Sequence, residues 1–281
     1  MRRTAQPRGF TLVELAVVLT IVAFLLASLM YTLSAQTDQR NIEETKRRLE
    51  QARELVLSYA VVNGRLPCPA RSTSAGLEVR DAGGNCTDGT NEDYYGGMVG
   101  GATGGLLPAV TIGFQQVDAS GIGLDAWGNR IRYAVAKRIT NCSGTSTTPH
   151  FTNAANLKAN GISCQSNDLL ICKSSTATPA LNPSASPPSC GGGGTNQIMS
   201  TGLVVAVIFA TGKNGAISNG AGVDEATNVK TNAALSPLIN PLFVYHTPTP
   251  SDFANGEFDD QFTWITVGEL YGKLIAAGVL P

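Results

Sequence analysis

Four groups of residues in this 281-residue chain carry side chains able to do chemistry. Cys68, Cys86, Cys142, Cys164, Cys172 and Cys190 lie in or beside segments rich in Gly, Ser, Thr and Asn, with no Cys-x-x-Cys among them. That even count favours disulfides over a zinc site or a redox pair, and it places these segments in an oxidising compartment. The pairing is open. Cys68–Cys86 is the favoured pair, because the Gly/Asn-rich loop between them can turn back. His150 and His246 are the only histidines and form no metal-spaced pair, so both are expected on the surface or in loops. Asp259 and Asp260 are adjacent carboxylates, and in a strand they would point to opposite faces and not converge as an acid/base pair. Glu14 is the single charge between residues 10 and 37. A carboxylate in an apolar membrane helix costs roughly 2.5–3.5 kcal/mol on insertion scales. It therefore either reaches the headgroups from the end of the run or meets a cation.

No Gly-x-Ser-x-Gly elbow and no His-Glu-x-x-His occurs. Residues 210–215 look superficially like a phosphate loop. They lack a glycine at position 207, and Asn214 stands where Ser or Thr is required, so they read as a turn. No catalytic cluster is present, and an enzyme is not expected. With 43% hydrophobic and 15% charged residues, the chain is not disordered as a whole. A net charge of −1 leaves no basic excess for phosphate neutralisation, so nucleic acid is not an expected partner.

The elements that must position these residues follow from charge and hydropathy. Residues 1–9 form a basic leader with Arg2, Arg3 and Arg8. From Phe10 the chain is apolar for about 25 residues, long enough to span a bilayer as a helix. No small-x-small cleavage site follows. The arginines hold the N-terminus in the cytoplasm and send the rest outside, in agreement with the cysteine usage. The expected organisation is a leader (1–9), a transmembrane helix (10–35), its amphipathic continuation (36–63) and an extracytoplasmic globular domain (64–281) with a loop-rich insert (140–200).

Gly9-Phe10-Thr11-Leu12-Val13-Glu14, after a basic leader and before an unbroken apolar run, resembles the class III signal of type IV prepilins and type II secretion pseudopilins. The resemblance implies cleavage after Gly9 and methylation of the new amino terminus at Phe10 by the prepilin peptidase/N-methyltransferase. It implies that Glu14 pairs with the N-terminal amine of a neighbouring subunit during assembly. It also implies a single-pass protein of the bacterial inner membrane, its domain in the periplasm, that meets the lipid bilayer, an inner-membrane assembly platform and other pilin or pseudopilin subunits before entering a pilus or pseudopilus. Leu66-Pro67-Cys68-Pro69-Ala70 resembles a junction motif of some prepilin-like proteins. Asp125-Ala126-Trp127-Gly128-Asn129 resembles a Trp-Gly-Asn segment of major pseudopilins, with alanine in place of proline, and reads as a folding element. In those proteins a turn after a central strand and a later Asp-Asp pair enclose calcium. Thr211–Gly215 and Asp259/Asp260 are the comparable parts here, although Asn214 replaces the usual aspartate. The other reading is that the two aspartates cap a turn, and no other cofactor is implied.

Beyond the membrane, Ile42, Leu49, Ala52, Val56, Tyr59 and Ala60 fall near one helical face, with Glu43–Arg47 and Glu44–Arg48 at i,i+4. Asn63-Gly64 ends the helix. Ile131–Lys137 alternates as a strand, Gly202–Phe209 reads as a central buried strand, and Val267–Ala277 as a short helix with Leu270, Leu274 and Ile275 on one face. The expected fold is α+β: a long N-terminal helix packed on an antiparallel sheet of about four strands with disulfide-stapled loops. The expected function is structural, as a minor subunit of a type IV pilus or type II pseudopilus. A pilin-scaffold adhesin binding through 140–200, or a signal-anchored periplasmic enzyme, are the alternatives.

Overall fold

A computed structural model describes residues 11–99, 101–137, 139–140, 149–185, 187–200, 202–215, 222–230 and 240–280. Gly9, Phe10 and Cys142 lie outside the described residues. The chain divides into two compact units, Met1–Glu43 and Glu44–Pro281, and α1 (Leu12–Asn63) contributes to both.

In the first unit α1 opens with a reciprocal cap. The Glu14 carboxylate accepts from Thr11 N–H and from its hydroxyl, both at 2.9 Å, and Thr11 Oγ1 accepts from Glu14 N–H at 3.2 Å. This is a capping box, in which Ser or Thr at the cap and Glu three residues later satisfy each other's orphan donors. Residues 11–26 are exposed throughout. Among the described residues, no helix is long and apolar enough to cross a membrane; the side chains of 27–35, inside the expected span, are outside the description.

In the second unit the C-terminal half of α1 buries Thr45, Leu49, Ala52, Val56, Leu57 and Ala60; of the expected stripe Leu49, Ala52, Val56 and Ala60 are buried, Ile42 and Tyr59 are half-buried, and Thr45 and Leu57 are additions. Arg48 pairs with Glu44 as expected, and Arg47 takes the same carboxylate one residue closer. Gly64, at φ +67, ends the helix in the left-handed region that glycine adopts without strain. The next corner is held by a charged staple. Arg65 grips Glu78 through both guanidinium nitrogens at 2.6 and 2.9 Å, and Glu78 also accepts from Cys68 N–H and the Tyr59 hydroxyl.

The elements that follow are β1 (Gly97–Val99) and β2 (Ala102–Gly104), α2 (Ala109–Ile112), β3 (Arg132–Val135), β4 (Ile139–Thr140), α3 (Ala154–Asn160), β5 (Gln165–Ser166), β6 (Leu170–Cys172), β7 (Gln197–Met199), β8 (Val204–Ala210), α4 (Val223–Val229), β9 (Leu242–Val244), β10 (Gln261–Thr266) and α5 (Val267–Ala276). The central sheet is β10-β8-β3, antiparallel, with Val207 of β8 opposite both Trp264 and Ala134. All seven residues of β8 are buried, as an uninterrupted apolar strand covered on both faces must be. Leu49, Val56 and Leu57 of α1 share one core with β3, β8 and β10.

The α+β architecture matches the sequence reading. The described sheet has three strands, however, and a second sheet, β7-β6-β9, contains the parallel pair β6·β9. Tyr133, Ala134 and Val135 are consecutively buried, because β3 is covered on both faces and alternation gives way to a continuous apolar run. Beyond the Cys68–Cys86 loop, β1 and β2 form an antiparallel pair. In α5 the buried side chains are Leu270, Tyr271 and Leu274. Ile275, expected on that face, is 44% exposed; it follows Leu274 by one residue, about 100° around the helix.

Replacing Val56 or Leu57 by alanine should destabilise the second unit by about 2–4 kcal/mol through lost burial and a residual cavity. The same change at exposed Val62 should cost under about 0.5 kcal/mol. Urea unfolding of the detergent-solubilised chain followed by tryptophan emission measures both.

Candidate functional site

The cysteines behave as expected of an oxidised domain. Cys68–Cys86 and Cys172–Cys190 are disulfides, Cys164 is disulfide-bonded, and among the described residues no cysteine is free.

The Asp125–Asn129 segment is a structural hub. Asp125 Oδ1 accepts from Trp127 N–H at 2.9 Å and Asn129 N–H at 2.8 Å, which closes an Asx-type turn. The backbone so fixed binds α1: Ala126 N–H donates to Thr45 Oγ1 at 3.1 Å, and Arg48 donates to the Asp125 carbonyl at 2.6 Å. Asn129 then reaches the turn after β8, donating to the Gly212 carbonyl at 2.6 Å. Burial lifts the Asp125 carboxyl to about 6 despite its backbone hydrogen bonds.

That turn faces a carboxylate cluster. Ligand oxygens of Glu225, Asp259 and Asp260 lie within 4.8 Å of one another. Asp259 and Asp260 precede β10, so the strand alternation that would send them to opposite faces does not apply, and the expectation that they would not converge is corrected. Glu225, from α4, is the member that sequence reasoning missed; an acid in a first helical turn reads as a dipole partner. Glu225 Oε1 accepts from Asp259 N–H at 2.9 Å and from Asn214 Nδ2 at 3.1 Å. Asp260 Oδ2 accepts from Asn228 Nδ2 at 2.7 Å, and Asp259 Oδ2 from Lys213 N–H at 2.8 Å. Asp259 Oδ1 is buried without a partner. A Cβ on Gly212 would stand 2.1 Å from that oxygen, at a residue already at φ +65; only glycine lets the aspartate approach. Burial, reinforced by the neighbouring carboxylates, lifts the Asp259 carboxyl to about 7 and raises Asp260 well above its ordinary range. Arg132 of β3 opposes Asp260 electrostatically.

A hard divalent cation fits this donor set. Three carboxylates converge, one oxygen of Asp259 is buried without a partner, and Arg132 opposes Asp260. Such an ion would offset the burial and mutual repulsion that raise the two aspartates. Glu225, Asp259 and Asp260 are the residues that would hold it.

The histidines part company. His150, expected on the surface or in a loop, lies in a loop between elements but is buried. Tyr271 donates its hydroxyl to the Cys164 carbonyl at 2.6 Å, so at 3.1 Å it accepts from His150 Nε2–H. That fixes the tautomer and leaves Nδ1 buried without a partner. Burial depresses this ring to about 4. His246 is half-buried, stacks on Phe258 and contacts Asp224 at 3.3 Å.

Residues 5–30 match the family model for the prokaryotic N-terminal methylation motif. No curated protein and no solved structure matches the chain. The matched segment contains Gly9, Phe10, Thr11 and Glu14 and bears out the resemblance of the N-terminus to a prepilin-type signal.

His150 supplies a pH test. The unfolded chain takes up its proton near pH 6.5, whereas the folded ring stays neutral to about 4. Folding stability is therefore lost as pH falls through that window, by on the order of 3 kcal/mol. Measured between pH 7 and 4, the stability difference should move toward a His150→Gln variant by that amount. A constant difference would show that the ring titrates normally in the folded state.

Proposed function

With a methylation motif at residues 5–30 as the premise, we propose that this chain is a structural subunit, and a minor one, of a type IV pilus or type II secretion pseudopilus. The observation that carries the reading is that, within the motif, helix residues 12–26 are exposed and, Glu14 and Thr20 apart, apolar. Exposed apolar surface on this scale needs a bilayer or another subunit to cover it. The precursor sits in the inner membrane with Arg2, Arg3 and Arg8 in the cytoplasm. A prepilin peptidase cuts after Gly9 and methylates Phe10. Glu14 then exchanges its bonds to Thr11 for the amine of a neighbouring subunit, which satisfies a carboxylate that the apolar surroundings would otherwise penalise. The domain beyond residue 64 stays in the periplasm until assembly, and its bulk and loop content support a minor role. The carboxylate cluster of Glu225, Asp259 and Asp260 holds calcium, whose preference for hard oxygen donors matches the set.

Two measurements test these statements. N-terminal sequencing and intact mass of protein from membranes should give a chain starting at methylated Phe10 only where the prepilin peptidase is present. Gly9→Val should leave the start at Met1, and Glu14→Ala should still be cut but fail to assemble. A Met1 start with and without the peptidase would reject the subunit reading. Calcium in excess over its dissociation constant should raise the thermal midpoint by about 5 °C or more relative to a chelator. Asp260→Asn should abolish that rise, and an unchanged wild-type midpoint would reject the ion.

A further inference from the structure

α4 carries two consecutive acids that serve different parts of the molecule. Glu225 is bound into the turn after β8 and the entry to β10, through Asn214 and Asp259 N–H. Asp224, 2% exposed, binds the insert. Its Oδ1 accepts from Ser175 N–H and Ser175 Oγ, both at 2.6 Å, and from Ser174 Oγ at 3.4 Å. Its Oδ2 accepts from Asn255 Nδ2 at 2.9 Å and faces His246 Nε2 at 3.3 Å. Asn255 donates in turn to Ser174 Oγ at 2.9 Å. One buried carboxylate thus gathers the insert and the connection between β9 and β10.

The insert segment 172–196 is also tied to itself, while Thr176 shares hydrogen bonds with Asn255 and Cys172 pairs with Val244 of β9. Cys172–Cys190 closes it. Asn196 donates to the Ser174 and Cys190 carbonyls at 2.8 and 2.7 Å and accepts from Ser174 N–H at 3.0 Å. Cys172, Cys190 and Leu181 pack with Leu170 and with Leu242 and Val244 of β9 in a small core separate from the main one. Cooperative units follow separate cores and local bonding, and they open with their own free energies.

We propose that Asp224 is a latch: it holds segment 173–196 against the domain, and its release lets that segment open as a unit while the β10-β8-β3 sheet stays folded. The device goes beyond the subunit reading and does not depend on it or on a cation. A partner that competes for Ser174 and Ser175 would engage the open form.

Hydrogen exchange of the full-length chain in detergent, read by peptide mass, tests this. Asp224→Ala should speed exchange across 173–196 by tenfold or more, with β3, β8, β10 and residues 49–60 unchanged. Ser174→Ala combined with Ser175→Ala removes the latch from the insert side and serves even where Asp224→Ala misfolds; it should give the same pattern at smaller amplitude. Equal acceleration in the sheet would show that Asp224 supports the whole fold and holds no separable unit. Unchanged exchange in 173–196 in the double variant would show that the small core and the disulfide hold the segment without the latch. Either result overturns the proposal.

Discussion

Much of the second unit depends on one turn, closed by the Asp125 carboxylate. Because Oδ1 holds the backbone of Trp127 and Asn129, the segment presents its own polar groups outward in fixed directions. One side receives Thr45 and Arg48 from α1, and the other sends Asn129 to the Gly212 carbonyl. A short chain of bonds therefore runs from the helix, through the entry to β3, to the turn that ends β8. The carboxylate is buried and lifted to about 6, so the turn retains an ionisable group at a cost that its hydrogen bonds offset only partly.

The acidic cluster is the far end of that chain. Asn129 holds Gly212, and Gly212 leaves space for Asp259. Glu225 comes from a helix eleven residues beyond Asn214 and meets Asp259 through its backbone. The same two-turn helix turns its neighbouring acid toward the insert. Adjacent helical residues diverge by about 100°, which is how one short element serves two sites.

The N-terminal unit obeys a different constraint. Its side chains over 11–26 are exposed, so little within the chain competes for them, and Glu14 finds its partners locally in Thr11. A capping box is a modest interaction, worth a kcal/mol or so, and can be exchanged for a stronger ionic one when an amine arrives. The pattern Thr-x-x-Glu at residues 11–14 is a local signal for this cap.

The chain's order along one dimension was legible without coordinates. The apolar run, the amphipathic stripe at Leu49–Ala60, the stop at Gly64, the buried strand β8 and the Cys68–Cys86 pair all follow from local composition, period or loop chemistry. Local interactions are encoded by neighbours in sequence, and these elements are local. What tertiary structure decided was convergence. Glu225 joins Asp259 and Asp260 across more than thirty residues; His150 is buried and its Nε2–H is accepted by the Tyr271 hydroxyl, 121 residues away; β6 pairs in parallel with β9; Asp224 gathers the insert. None of these contacts leaves a periodic trace, since each depends on which loops the main sheet brings to one edge and on how much water the surrounding core excludes.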